Sequence, residues 1–188
     1  MLVGYARLPR PRPLLYPAAT RVSGCTDRVS LLWLVAALAQ TLVYVAWTMG
    51  PAFAAGDVVQ DDVRQHVFWM QRFRDPELFR NDPIADYYQT VAPLGYAALY
   101  RALGLAVDPL LASKLLPPLL GLVAGLFTFL TVRWLHPSPV AAFAAAALLS
   151  RFAWQHGALS SGTPRAFLLP LLCVLLWAVV SRRRAVAA

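Results

Sequence analysis

Carboxylates are concentrated in one part of this chain. Eight of its nine acidic residues fall between residues 51 and 113, a polar stretch that separates long apolar segments. The group begins with Asp57, Asp61 and Asp62, just after the first apolar segment ends. Charged groups beside or within a bilayer are costly, and they usually mark function. We therefore expect chemistry or ion binding in this stretch.

Asp61, Asp62 and His66 are the catalytic candidates. His66 lies one helical turn after Asp62, so the two side chains share a helix face. They could form an acid–base unit, with either aspartate as the general base, or provide two ligands for a divalent cation. No third ligand lies near them in the sequence, so no metal site is assigned and the cofactor stays open. The structural alternative is that the aspartates cap a helix and His66 is hydrogen-bonded to Asp62.

Arg165 is the candidate for binding an anionic substrate. It follows Thr163 and Pro164, which begin an apolar segment. The free N–H groups of a helix N-terminus and a guanidinium together attract a phosphate. The alternative is that Arg165 extends to lipid headgroups. The adjacent pair Tyr87 and Tyr88 is either part of an interfacial aromatic belt or a platform for a sugar.

The composition is that of a membrane protein. Charged residues make up 14% of the chain and hydrophobic residues 59%, with a mean hydropathy of +0.56. Soluble domains usually carry about 25% charged residues. The net charge is +8, but arginines flank the apolar segments and form no patch for nucleic acid. The two cysteines, Cys25 and Cys173, predict neither a disulfide nor a metal site.

The apolar pattern predicts an all-α integral membrane protein with about four transmembrane helices. The spans are expected at residues 30–49, 115–135, 140–154 and 166–180, inside a membrane domain of residues 29–181. Residues 1–28 and 182–188 are predicted to be basic cytoplasmic tails, the first of them disordered, since arginines favour the cytoplasmic side. Residues 51–113 and 155–165 then share the outer face. Pro117 and Pro118 are expected in the first turn of the second span, where proline does little harm.

The outer loop is predicted to contain short juxtamembrane helices. Residues 61–73 carry apolar side chains at helical spacing, which favours an amphipathic helix at the membrane interface. Asp–Pro pairs at residues 75, 82 and 108 each predict a helix start, with Asp as the N-cap and Pro at the first helical position. A further helix is expected from about residue 94 to 103.

Two sequence strings carry a family resemblance. Residues 61–73 read DDVRQHVFWMQRF, DPELF and ND follow at 75–79 and 81–82, and SGTPRAF occupies residues 161–167. These strings resemble multi-span bacterial membrane proteins related to the GT-C-fold glycosyltransferases. The resemblance implies a partial GT-C-like module in which Asp61 or Asp62 is the base or a metal ligand. It also implies a polyprenyl-phosphate sugar as the donor.

The sequence therefore predicts the N-terminal part of a membrane glycosyltransferase-like protein in a bacterial inner membrane. It would transfer a sugar from a lipid-phosphate carrier at the outer face, with membrane lipids and the donor lipid as its partners. GT-C enzymes have more spans than four, so we expect a truncated or split chain. The alternative is a non-catalytic membrane protein, either a transporter fragment or an assembly partner. The predicted spans hold only Gln40 and a few hydroxyls, which counts against transport.

Overall fold

A computed structural model describes residues 27–56 and 58–187 of the chain, with side chains as far as Arg182. The predicted N-terminal tail lies outside the described residues except for Asp27 and Arg28, and so does Asp57. Within the described ranges all the regular secondary structure is helical, and turns and loops connect the helices. Four long helices are α1 (Arg28–Ala54), α5 (Pro109–Leu135), α6 (Pro139–Gln155) and α7 (Leu168–Ala187). The short ones are α2 (Asp61–His66), α3 (Pro83–Val91), α4 (Leu94–Gly104) and two 3₁₀ helices (Phe68–Phe73, Pro164–Phe167).

Three helical segments are long and apolar enough to cross a membrane: Arg28–Ala54, Pro109–Leu135 and Pro164–Arg182. This indicates an integral membrane protein and confirms the all-helical class. The third predicted span corresponds to α6, which has 17 residues and is shorter than these three. Its ends, Pro139 and Gln155, lie within one residue of the predicted ends.

The first two spans are longer than the sequence predicted. Gly50 and Pro51 do not end α1, which continues to Ala54 because its last turn is hydrogen-bonded from outside by Lys114. Helix α5 begins at Pro109, six residues before the predicted start. The carboxylate of Asp108 caps it by accepting from the N–H of Leu110 at 2.8 Å. The placement of Pro117 and Pro118 in a first turn is therefore wrong, since both lie inside α5.

Helix α5 is the centre of the bundle and packs against α1, α6 and α7. Glycine lets the first two approach closely: a Cβ on Gly121 would meet Trp154 of α6 at 3.1 Å and Thr41 of α1 at 3.3 Å. Gly125, one turn later, approaches the Thr41 hydroxyl in the same way. The buried Ser150 hydroxyl of α6 donates to Thr41 at 3.2 Å. Since lipid provides no hydrophobic drive between helices, small residues and hydrogen bonds of this kind stabilise the contact.

The segment between α1 and α5 forms its own small core. The predicted helix over residues 61–73 is interrupted at Val67, where α2 gives way to the tighter 3₁₀ helix. This change of winding allows Trp69 and Met70, adjacent in sequence, both to be buried. Tyr96 and Tyr100 of α4 join them in one cluster that packs on the start of α5.

Two of the three predicted Asp–Pro helix starts are confirmed. Asp82 caps α3 and Asp108 caps α5 through local bonds to N–H groups two and three residues ahead. The third is wrong, because residues 75–81 form turns. Asp75 accepts from the N–H of Glu77 at 3.0 Å, but no helix follows. The backbone instead takes positive φ angles at Phe79 (57°) and Asn81 (61°).

The close approach at Gly121 leads to a prediction about stability. Gly121→Leu should lower the free energy of unfolding by about 1–3 kcal/mol, since the added side chain has no space between α1 and α6. Gly50→Leu is the matched control, because a Cβ on Gly50 meets nothing within 4 Å. Thermal unfolding of both variants in detergent tests this. Equal melting temperatures would contradict the packing described.

Candidate functional site

A buried lysine closes both ends of the 55–108 segment. Lys114, the only lysine in the chain, is 7% exposed and lies in the second turn of α5. Its ammonium donates to the carbonyls of Ala52 at 2.7 Å, Ala55 at 3.0 Å and Gly56 at 3.0 Å. These groups end α1, where the last carbonyls of a helix have no partner of their own. Lys114 therefore holds the exit of α1 against the entry of α5.

A second contact brings the 156–163 loop to the same end of the bundle. The buried phenol of Tyr100 on α4 donates to the carbonyl of Gly162 at 2.7 Å. Gly162 is required there, since a Cβ would lie 2.8 Å from the Cα of Ser113. Burial raises the pKa of Tyr100 above its usual range, with a smaller contribution from Tyr96. The phenol thus remains protonated and can donate.

These contacts bring two of the predicted site residues together. A guanidinium nitrogen of Arg165, in the 3₁₀ helix before α7, lies 2.8 Å from a carboxylate oxygen of Asp62 on α2. The residues are 103 positions apart in the sequence. The Arg165 side chain is 67% exposed and that of Asp62 is 40% exposed. An ion pair this accessible contributes at most about 1 kcal/mol to stability, and both groups remain open to a ligand.

His66 lies in a row of aromatic rings beside this pair. Its ring meets Tyr88 edge-on at 5.3 Å between centroids, and Tyr88 meets Tyr87 in the same way at 5.4 Å. Tyr87 is 60% exposed. The predicted hydrogen bond between His66 and Asp62 is not among the contacts of the described residues, where Asp62 is bonded to Arg165. The exposed ring of Tyr87 is nevertheless accessible to a ligand.

Asp61 is exposed at the first position of α2. It takes part in none of the ion pairs that the structure shows among the described residues, so Asp62 is the better candidate for the functional carboxylate. No group of three His, Cys, Asp or Glu side chains that could hold a metal occurs among the residues described.

Two basic residues that organise this end of the molecule were not predicted from the sequence. Lys114 lies between the predicted outer loop (51–113) and the predicted second span (115–135), so neither prediction includes it. The feature of the sequence that could have singled out Lys114 is that it is a lysine, since 16 of the 17 basic residues are arginines. Arg72 is the other. It lies inside the predicted amphipathic helix, and nothing in the local pattern marks its four acceptors.

Gly162 provides a test of how the two loops are held together. Gly162→Ala should destabilise the chain by about 1–3 kcal/mol, because the Cβ meets backbone that cannot move cheaply. Gly95→Ala is the control, since a Cβ there meets nothing within 4 Å. Thermal unfolding in detergent measures the difference. A Gly162→Ala protein as stable as the control would show that the loops do not meet as described.

The raised pKa of Tyr100 predicts a loss of stability in alkaline solution. An unfolded tyrosine ionises near pH 10, whereas the buried phenol does so at higher pH. The stabilisation is therefore complete below about pH 10 and decreases as the pH rises further. Between pH 9 and 11 the melting temperature of the native chain should fall more steeply than that of Tyr100→Phe. Tyr87→Phe should follow the native chain, and parallel curves for all three would contradict the assignment.

Comparison of the chain with protein-family models, with curated proteins and with solved structures gave no match.

Proposed function

We propose that this chain carries the first outer loop of a membrane glycosyltransferase of the GT-C type. The reaction is transfer of a sugar from a lipid-phosphate carrier at the outer face of a bacterial inner membrane. The observation that supports this most is the pairing of Asp62 with Arg165. A carboxylate from the first loop and a guanidinium at the start of α7 are the two charges that such a transfer needs at one place.

In the proposed reaction Asp62 acts on the acceptor. Its carboxylate takes the proton from the acceptor hydroxyl as the oxygen attacks the anomeric carbon of the sugar. The bond between that carbon and the phosphate oxygen breaks, and the lipid phosphate leaves with the electron pair.

Arg165 acts on the leaving group. One of its nitrogens holds Asp62, and its other N–H groups remain for the phosphate oxygens. The negative charge that develops on the leaving phosphate is then matched by the guanidinium. Tyr87 and Tyr88 provide ring surface for the sugar, and His66 fixes the orientation of Tyr88 by its edge contact.

The proposed topology has four spans, with both termini in the cytoplasm. Helix α6 is the short span: 17 residues rise about 25 Å, against a hydrocarbon core of about 30 Å. A short helix is accommodated by local thinning of the bilayer, and α6 is supported on two sides by α1 and α5. The acidic segment and the 156–163 loop then face outward together.

A second candidate is a non-catalytic assembly partner. It is favoured by the last candidate span (Pro164–Arg182), since only 17% of its most apolar stretch is buried within the chain. Leucines along this helix are exposed: Leu168, Leu171, Leu172, Leu175 and Leu176. The other non-catalytic alternative is a transporter fragment. Lys114 lies within α5, although it lies outside the predicted spans, but it does not support a transporter. Its ammonium is already bound to three carbonyls.

Sugar transfer can be measured with the full chain in proteoliposomes, using polyprenyl-phosphate mannose and glucose as donors and a lipid-linked acceptor. Asp62→Asn should reduce turnover at least about a hundredfold, the scale expected for loss of a general base. Asp61→Asn and Asp75→Asn should retain turnover within a few-fold. Equal small effects at all three aspartates would count against Asp62 as the base.

A charge reversal separates catalysis from structure. If the pair only holds the loops, the double variant Asp62→Arg with Arg165→Asp restores both the fold and the function. If Asp62 is the base, the double variant recovers the melting temperature that the single variants lose, but it does not recover transfer. Arg165→Lys keeps the charge without the planar fork, so donor use should weaken, and it should weaken further in Arg165→Gln.

A further inference from the structure

A polar cleft lies in the 55–108 segment, and neither Asp62 nor Arg165 lines it. It has a volume of about 490 Å³ and opens between the first 3₁₀ helix, the turns at 75–81, α3 and α4. A cleft of this size is within the range of small-ligand sites, roughly 300–1,000 Å³. The polar residues that line it are Arg72, Arg80, Asn81, Asp86, Gln89 and Arg101.

Arg72 forms the inner wall of the cleft and is fully engaged. Its guanidinium donates to Asp86 at 2.7 Å and to Gln89 at 2.9 Å on α3. It also donates to the carbonyl oxygens of Leu78, at 3.2 Å, and of Phe79. The side chain is 16% exposed. Arg72 therefore ties the 75–81 turns to α3 and sets the shape of the cleft.

The turns are held in an uncommon backbone conformation. Phe79 and Asn81 both have positive φ angles, which is unusual for a bulky residue such as Phe79 and easier for asparagine. Conformations of this kind cost about 1–3 kcal/mol each and persist where the surroundings enforce them. The bonds from Arg72 to two consecutive carbonyls provide that enforcement. The result is that Asn81 lies at the cleft.

The cleft has an excess of positive charge. Three guanidiniums line it, against the single carboxylate of Asp86. Asp86 is paired with Arg72, and Arg80 is paired with the exposed Glu77 at 2.6 Å. Arg101 has no carboxylate partner among the described residues. Its guanidinium carbon lies 5.0 Å from the centre of the Phe73 ring, which holds the group in place while its N–H edges stay free.

We propose that this cleft binds a phosphate ester whose alcohol part carries hydroxyl groups. Arg101 and Arg80 would bind the phosphate oxygens, since a guanidinium matches an oxyanion with paired N–H bonds. The side chains of Asn81 and Gln89 and the carboxylate of Asp86 provide donors and acceptors for the hydroxyls. The ligand is either a soluble sugar phosphate or the headgroup of a glycerophospholipid, which have this chemistry in common. The site does not depend on the proposed sugar transfer.

Calorimetry on the purified full chain in a neutral detergent tests the site, with glucose 1-phosphate and glycerol 3-phosphate as ligands and glucose as the uncharged control. The native chain should bind both phosphate esters and bind glucose at least about tenfold more weakly, because one charge-assisted hydrogen bond has that scale. Arg101→Gln should weaken binding of both esters at least about tenfold. Asn81→Gly keeps the positive φ without the amide and should weaken it less.

Arg64→Gln is the matched control, since Arg64 is an exposed arginine on α2 that does not line the cleft. It should bind both esters as the native chain does. Tighter binding of glycerol 3-phosphate supports a lipid headgroup, and tighter binding of glucose 1-phosphate supports a soluble sugar phosphate. The proposal fails if the native chain binds neither ester, if glucose binds equally well, or if Arg64→Gln and Arg101→Gln lose affinity equally. It also fails if affinity is lost in Arg165→Gln but kept in Arg101→Gln.

Discussion

The arrangement of this chain depends on the need to satisfy the carbonyl groups where α1 ends. Lys114 meets that need with a single ammonium that binds three of them. Because Lys114 belongs to α5, the same bonds fix the distance between the two ends of the 55–108 segment. Over fifty residues are thereby closed into one loop with defined ends. The short helices can then pack as a cluster on the start of α5 instead of extending freely from the bundle.

The loop end and the bundle are linked by close contacts that only small residues permit. Within the bundle, Gly121 and Gly125 let α5 approach α1 and α6. At the loop end, Gly162 lets the 156–163 loop lie against α4 and α5, where Tyr100 binds its carbonyl. This contact places the start of α7 beside α2. The ion pair between Asp62 and Arg165 is therefore a consequence of packing elsewhere, because its own contribution to stability is small.

The charged residues of the loop end separate into two groups with different surroundings. Asp62 and Arg165 form an accessible pair next to the rings of His66 and Tyr88. Arg72 and its partners form a rigid wall, and Arg101 extends from α4 at the side of the same cleft. The first group combines one carboxylate with one guanidinium, both accessible to solvent. The second has an excess of guanidiniums, which suits recognition of an anion but includes no free base.

The sequence by itself determined the membrane class, the positions of the four long helices to within about six residues at most ends, and the caps at Asp82 and Asp108. These features depend on apolar composition and on hydrogen bonds two or three residues long, which local patterns specify. Only the tertiary structure decided which charges meet. Lys114 binds carbonyls about sixty residues away and Arg165 binds Asp62 across 103 residues. The tertiary structure also differs from the local pattern in two places. The predicted 61–73 helix is interrupted at Val67, and turns bonded by Arg72 follow Asp75 where a helix was expected. No local spacing encodes such partners, because they are brought together by the packing of helices that are distant in the chain.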